Sequence, residues 1–298
     1  MTFQGLLTAL VTPFKAGAEA GAPSELDEAA FRSLARRQID GGVDGLVPCG
    51  TTGEAPTLPA SEHIQVIRWA VEEAAGRVPV MAGIGSNSTA TAIATAREAE
   101  AAGAQGVLAT APYYNKPTQE GLYRHFRAIA ESTSLEVCLY DVPGRSGIRI
   151  LPETVERLSR VDNITTIKDA TGDMSVISEL LIRCGDRITL LSGDDFTVLP
   201  FLALGGAGTI SVASNVAPAR MKALVDAGRA GELVTARELH LALFPLFKAL
   251  FLETNPIPIK AAMAAQGLLE DELRLPLCPM TEAPRAALLA AMRELGVL

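Results

Sequence analysis

A lysine closes the run Ile164-Thr165-Thr166-Ile167-Lys168, and the breaker-rich Asp169-Ala170-Thr171-Gly172-Asp173 follows at once. β-Branched residues ahead of such a break read as a buried strand handing over to a loop. An ammonium at the mouth of that strand is costly to desolvate, so burial favours the neutral amine. A desolvated lysine amine is a nucleophile that forms Schiff bases with carbonyl compounds. Taken singly, such a lysine is more often a snorkelling one, or one paired with a neighbour such as Asp169. The rest of the chain shifts that balance. Tyr140 ends another apolar run and leads into Asp141-Val142-Pro143-Gly144-Arg145-Ser146-Gly147. Cys49-Gly50-Thr51-Thr52-Gly53-Glu54 sets two hydroxyls between two glycines, a concavity of N–H and O–H donors suited to a small carboxylate. Alone, it is equally a simple Gly-rich turn. Pro112-Tyr113-Tyr114-Asn115-Lys116-Pro117 carries two of the four tyrosines.

Together these groups suit imine chemistry. Lysine attack on a 2-oxo acid gives a carbinolamine that must lose water, which needs a proton relay beside the amine. The hydroxyls of Tyr140, Thr51 and Tyr114 can pass that proton. The iminium is itself the electron sink for deprotonation to an enamine, so the route calls for no metal and no organic cofactor. The three histidines (His63, His125, His240) are too scattered to suggest a metal cage.

Positioning these residues takes a scaffold that brings strand ends together. Short apolar runs at 6–11, 45–48, 78–82, 106–109, 137–140, 164–168, 189–192 and 209–212 alternate with helical patterns at 25–40, 61–75, 89–102, 120–131, 153–159, 174–183, 196–203 and 218–227. Ser24 and Ser61 stand where helix N-caps are expected. Strands separated by helices pair in parallel through right-handed crossovers. Eight such units predict a (β/α)8 TIM barrel with its working face at the C-terminal strand ends. Lys168, Tyr140, Thr51 and the tyrosine pair all fall on that face. A doubly wound sheet would want a glycine-rich phosphate turn after the first strand, and residues 8–14 have none. Gly83-Ile84-Gly85-Ser86-Asn87-Ser88 lacks the third glycine of a dinucleotide fingerprint and follows the third strand, so it reads as an ordinary βα loop. Beyond about residue 230 the strands stop. Helical patterns at 232–251, 259–267 and 282–295 predict a barrel over 1–230 and a C-terminal helical extension over 231–298.

Composition agrees with a domain that buries a large core. The 298 residues are 48% hydrophobic, enough to bury a core without staples. A net charge of −8 and the lack of any basic run argue against nucleic-acid binding. The four cysteines (Cys49, Cys138, Cys184, Cys278) form no C-x-x-C and no disulfide framework. No basic leader and no membrane-length apolar run are visible, so a soluble cytoplasmic protein is expected.

With Lys168, Tyr140 and Gly50-Thr51-Thr52-Gly53-Glu54 in view, the chain resembles the dihydrodipicolinate synthase / N-acetylneuraminate lyase family of pyruvate-dependent class I aldolases. The likeness runs from Gly5-Leu6-Leu7-Thr8-Ala9-Leu10-Val11-Thr12-Pro13-Phe14 to Asn255-Pro256-Ile257-Pro258-Ile259-Lys260. Thr51-Thr52, the 112–117 motif and the arginine of 140–147 point to the dihydrodipicolinate synthase branch; the lyase branch usually has Ser-Thr and lacks that arginine. The resemblance implies that Lys168 forms the Schiff base with pyruvate, in lysine and diaminopimelate biosynthesis. It implies a relay of Tyr140, Thr51 and Tyr114, the last reaching the neighbour's site across a tight dimer interface. Thr51 and Thr52 would hold the pyruvate carboxylate. Arg145 would bind the carboxylate of aspartate semialdehyde, with a geometric specificity that lysine lacks. Gly193 and Ile210 would line the pocket through backbone carbonyls, and the assembly would be a homotetramer, a dimer of tight dimers. A sibling aldolase or dehydratase acting on a sugar acid or another 2-oxo acid is the alternative.

Three residues near these motifs have plainer readings. Lys260 is expected to be structural, Cys49 a small core residue, and Glu54 a loop-fixing acceptor. Feedback-controlled members of the family bind lysine at the dimer interface, and the matching positions are Ala55, Pro56, Ala60, His63, Asn87, Thr91 and Tyr113. Where the controlled pattern has an acid and a histidine, this chain has Thr91 and Ala60. Losing the charge-assisted bond to the effector's ammonium costs on the order of 1.5–3 kcal/mol, so weak or absent inhibition is expected. Asp141 stands where asparagine is common, with little consequence expected beyond local charge.

Overall fold

The computed structural model describes residues 3–17 and 23–298. Among them the first half of the chain runs β1 (Gly5–Ala9), α1 (Glu28–Asp40), β2 (Gly45–Val47), α2 (Ala60–Ala74), β3 (Met81–Gly83), α3 (Thr89–Ala101), β4 (Gly106–Thr110) and α4 (Gln119–Ala130). The second half continues with β5 (Glu136–Asp141), α5 (Pro143–Ser146), α6 (Pro152–Leu158), β6 (Ile164–Asp169), α7 (Met174–Cys184), β7 (Thr189–Ser192), α8 (Val198–Ala203), β8 (Gly208–Ser211) and α9 (Pro218–Arg229). Then come α10 (Leu233–Ala249), α11 (Ile257–Ala265) and α12 (Glu282–Leu295).

The strands pair in parallel in the order β2-β1-β8-β7-β6-β5-β4-β3. A bridge from Leu46 to Val80 brings the two ends together, with Leu46 N donating to Pro79 O at 3.0 Å and Gly83 N to Pro48 O at 2.9 Å. This is the (β/α)8 barrel that the strand–helix alternation predicts. Pro79 has no N–H for the ladder, and β3 starts only at Met81, later than the apolar run at 78 suggests.

Strand parity sorts the side chains into two layers. Leu7, Ala9, Val47, Leu108, Cys138, Tyr140, Leu191 and Ile210 pack together inside the barrel. Their sequence neighbours Leu6, Leu46, Val107, Leu139 and Leu190 belong to the outer layer packed with the helices, as does Ile167 beside Lys168.

Neither Ser24 nor Ser61 caps a helix. The first helix begins at Glu28 because the Asp27 carboxylate, not Ser24, accepts from Ala30 N at 3.0 Å. Ser24 is drawn into a tertiary contact, its hydroxyl donating to Glu272 at 2.6 Å and its carbonyl accepting from Arg274. Ser61 lies inside α2, which Pro59 opens with no side-chain cap.

The C-terminal helices pack beside the barrel, and the segment joining two of them reaches the strand ends. α10 packs against α9 and α12, and the chain after it, residues 251–255, crosses the barrel mouth. Arg274, buried, carries α2 and the 24–26 segment together by bonding to Ser24 O, Thr57 O and the Glu62 carboxylate.

Candidate active site

The C-terminal strand ends open into a cavity of about 640 Å3 whose walls include Lys168, Tyr140, Thr51, Thr52, Arg145 and Gly193. β5 and β6 set Tyr140 directly beside Lys168 in the parallel register. The Lys168 Nζ sits 4.2 Å from the centre of the Tyr140 ring, and Lys168 is only 6% exposed. Strand parity turns the next residue away: Asp169 points out of the barrel, and its Oδ1 accepts from Thr171 N at 3.0 Å and Thr171 Oγ1 at 2.7 Å. Among the described residues Lys168 makes no ion pair, so its amine is held by an aromatic face rather than neutralised by a carboxylate. That removes the Asp169-paired alternative and leaves a buried amine aimed into a cavity.

Gly193, after β7, makes room for that amine. A Cβ there would lie 2.9 Å from Lys168 Cε and 2.9 Å from Ala170 Cβ. Its backbone extends the sheet, Gly193 N donating to Asp169 O at 2.6 Å.

The threonine pair is held by a tight turn after β2. Gly53 N bonds to Gly50 O and Glu54 N to Thr51 O, both at 3.1 Å, while Thr12 Oγ1 donates to Gly53 O at 2.7 Å. Glu54 takes a left-handed backbone (φ 53°) and is buried. Its carboxylate pairs with the fully buried Lys260 and accepts from Arg274 N at 3.1 Å. Lys260 also donates to Glu272 O at 2.8 Å and lies 4.1 Å from the Phe14 ring centre. Burial pushes the Lys260 ammonium down and Glu54 opposes that push. Glu54 and Lys260 thus anchor the site loop to the C-terminal extension, the structural parts their sequence positions suggest.

Arg145 belongs to α5, a single turn that Pro143 starts and Gly147 ends in the left-handed region. Its Nη2 donates to Asn255 O at 3.0 Å, and Asn255 Nδ2 donates to Thr52 Oγ1 at 2.9 Å. Arg145 and Thr51 stand in the wall between this cavity and a second one of about 430 Å3. Ala55, Pro56, Ala60, His63, Thr91 and Tyr113 line the second cavity; Asn87 does not, and Glu98, one α3 face along from Thr91, does. Burial lowers the His63 pKa, with the Gly83 carbonyl and Glu98 opposing it.

Two expected site residues stay outside the Lys168 cavity of a single chain. Tyr114 is 89% exposed at the tip of its loop, with a left-handed backbone (φ 69°). Ile210 packs inside the barrel with Val47, Tyr140 and Leu191. Cys49 is buried, its thiol directed at His63 O, and burial raises its pKa. Among the described residues no group of three or more His, Cys, Asp or Glu side chains could hold a metal ion.

Next to Tyr140 and Lys168 along their strands lies a buried pair of acids. Asp141 and Asp169 are register partners on the outward face. Burial pushes the Asp141 carboxyl up to about 7; the Ile150 N–H holds it down, Asp169 raises it further and Arg149 lowers it. Asp169 is raised by the same cause, opposed mainly by Thr171.

Asn255 is the site residue that sequence reasoning missed. The motif 255–260 draws the eye to its lysine, yet a polar side chain immediately before Pro-Ile-Pro was the available signal.

The profile of the Dihydrodipicolinate synthetase family matches residues 2–295. The 4-hydroxy-tetrahydrodipicolinate synthase of Pelobacter propionicus is 50% identical over 296 residues, 99% of this chain and all of that protein. The synthase of the same name from Nitratidesulfovibrio vulgaris is 51% identical over 299 residues, covering both chains completely. A crystal structure of the chloride-inhibited dihydrodipicolinate synthase from Acinetobacter baumannii, complexed with pyruvate, superposes with a TM-score of 0.96 at 40% identity over all of both chains. A barrel whose buried lysine and tyrosine face two threonines, in a chain matched end to end by such relatives, belongs to the Dihydrodipicolinate synthetase family.

Proposed function

We propose that this chain condenses pyruvate with L-aspartate 4-semialdehyde through a Schiff base on Lys168, giving 4-hydroxy-tetrahydrodipicolinate for lysine and diaminopimelate biosynthesis. The observation that carries it is the unpaired Lys168 amine, buried against Tyr140 in a cavity that also holds Thr51, Thr52 and Arg145. Lys168 Nζ attacks the pyruvate ketone, and the carbinolamine oxygen leaves as water with a proton delivered by Tyr140. Thr51 connects that phenol to the substrate, and Tyr114, exposed on its loop, reaches the relay of a neighbouring subunit. The pyruvate carboxylate is held by Thr51 and Thr52. Loss of a proton from the methyl carbon gives the enamine, whose carbon adds to the aldehyde while the aldehyde oxygen is protonated. The amine of the adduct then displaces Lys168 by transimination and closes the ring.

Arg145 receives the second substrate's carboxylate at the cavity mouth. Gly193 and Ile210 shape the pocket, Gly193 at the wall and Ile210 through its main chain beneath. No metal or organic cofactor takes part, since the iminium supplies the electron sink. The expected assembly is a homotetramer of tight dimers in the cytoplasm, with neither nucleic acid nor membrane as partner; no helix among the described residues is long and apolar enough to cross a membrane.

Borohydride reduction in the presence of pyruvate, followed by peptide mass spectrometry, tests the assignment. A pyruvyl adduct on Lys168 that added aspartate semialdehyde depletes is expected. An adduct indifferent to the semialdehyde would move the acceptor to a sugar acid or another aldehyde, and no adduct on Lys168 would refute the nucleophile.

A further inference from the structure

We infer that Asn255 is a positioning residue that couples the two carboxylate-binding groups of the site, setting the donor geometry of Thr52 and Arg145 together. This rests on the assignment of those two residues to the pyruvate and aldehyde carboxylates.

Asn255 comes from the C-terminal extension, 203 residues from Thr52, and is 5% exposed at the wall of the Lys168 cavity. Its amide Nδ2 donates to Thr52 Oγ1 at 2.9 Å. A threonine hydroxyl has one proton and two lone pairs. With a lone pair taken by an N–H donor, its proton is free to point at an anion. A carboxylate only accepts, so this is the orientation that pyruvate requires. The main-chain carbonyl of Asn255 accepts from Arg145 Nη2 at 3.0 Å. Arg145 makes no ion pair among the described residues, so this bond orients a guanidinium whose remaining N–H groups stay free for a bidentate carboxylate. One residue therefore faces two ways: its side chain polarises the pyruvate end, and its main chain aims the aldehyde end. Loosening either bond frees the 251–255 segment and disturbs the other.

Steady-state kinetics of the full-length enzyme test this in Asn255→Ala, Asn255→Asp, Thr52→Val and the Thr52→Val/Asn255→Ala double variant. Asn255→Ala is expected to raise KM for both substrates about tenfold, with kcat within about threefold, the size of one lost hydrogen bond. Asn255→Asp is expected to raise the pyruvate KM further than Asn255→Ala, because an acid takes the Thr52 proton instead of freeing it. Thr52→Val should raise the aldehyde KM as well as the pyruvate KM, and adding Asn255→Ala to it should leave the pyruvate KM where it stands. Asn255→Ser replaces Asn255→Ala should the latter fail to fold. A purely structural residue would lower the melting temperature and leave both KM values within twofold; that result, or additive effects of Thr52→Val and Asn255→Ala on pyruvate KM, would overturn the coupling. If the unmodified enzyme traps pyruvate on Lys168 and Arg145→Ala raises the aldehyde KM while the Asn255 variants raise neither KM, the coupling fails alone. Absence of the Lys168 adduct would overturn the coupling and the function on which it rests.

Discussion

Replacing Asp141 by asparagine should stabilise this protein at neutral and basic pH, less at pH 5, and do little below about pH 4. The Asp141 carboxyl is buried next to Tyr140 in the chain, beside Asp169, and raised from 3.8 to about 7. At about 1.4 kcal/mol per pH unit, holding it ionised in the fold costs on the order of 4 kcal/mol. Relaxation around the charge, and the nearby Arg149 that partly compensates it, reduce what a variant recovers to about 1–3 kcal/mol. The sign follows from proton linkage. Between about pH 4 and 7 the folded chain holds a proton here that the unfolded chain has released, so stability falls as pH rises through that window. Below it both states are protonated, and above it the full cost is present. Asp141→Asn keeps the oxygen that accepts from Ile150 N at 3.2 Å and removes the titration. In thermal melts the variant should lie about 2–6 °C above the parent at pH 8, and above it by about a third to a half of that gap at pH 5, where only part of the window has been crossed. Equilibrium urea unfolding at the same two pH values gives the free energies directly. An equal gap at pH 5 and pH 8, or a variant less stable than the parent at pH 8, would refute the electrostatic reasoning.

Gly193→Ala should fold but lower kcat/KM for pyruvate about 10- to 100-fold, since the added Cβ meets the Lys168 stem at 2.9 Å and misplaces the nucleophile; borohydride trapping rates would expose the defect, and activity within twofold would contradict it. Lys260→Met strands the Glu54 carboxylate in the interior and should cost about 3–5 kcal/mol of stability, read by urea unfolding; an unchanged midpoint would mean that the pair does not anchor the site loop. Free lysine should inhibit weakly, with sub-millimolar inhibition in a steady-state assay as the contrary result. Thr91→Glu, which adds a carboxylate to the second cavity at the effector position, besides Glu98 further along α3, should tighten inhibition by about tenfold or more.

Much of this molecule is written locally. The alternation of apolar runs with helical periods specifies the barrel because each strand and helix is a short-range event, and the chain can return only by parallel crossovers. The placement of Lys168, Tyr140 and Thr51 on one face follows from their positions at strand ends. Even the outward turn of Asp169 was available from parity, since a strand cannot point two consecutive side chains into the barrel. Capping was not available: Ser24 and Asp27 are both competent caps, and only the tertiary pull of Glu272 and Arg274 on Ser24 leaves the cap to Asp27.

What the tertiary structure decided are the contacts between distant residues. Asn255 meets Thr52 and Arg145 only because the extension folds back over the barrel mouth. Gly193 reads as an ordinary turn glycine until the Lys168 side chain is seen lying against it. The burial that raises Asp141 depends on the helices outside β5 and on a register partner from another strand. Propensity and periodicity act over a few residues and one face of one element. Desolvation, hydrogen-bond partners and shared cavity walls are set by whatever the completed fold brings alongside, and no local pattern encodes them.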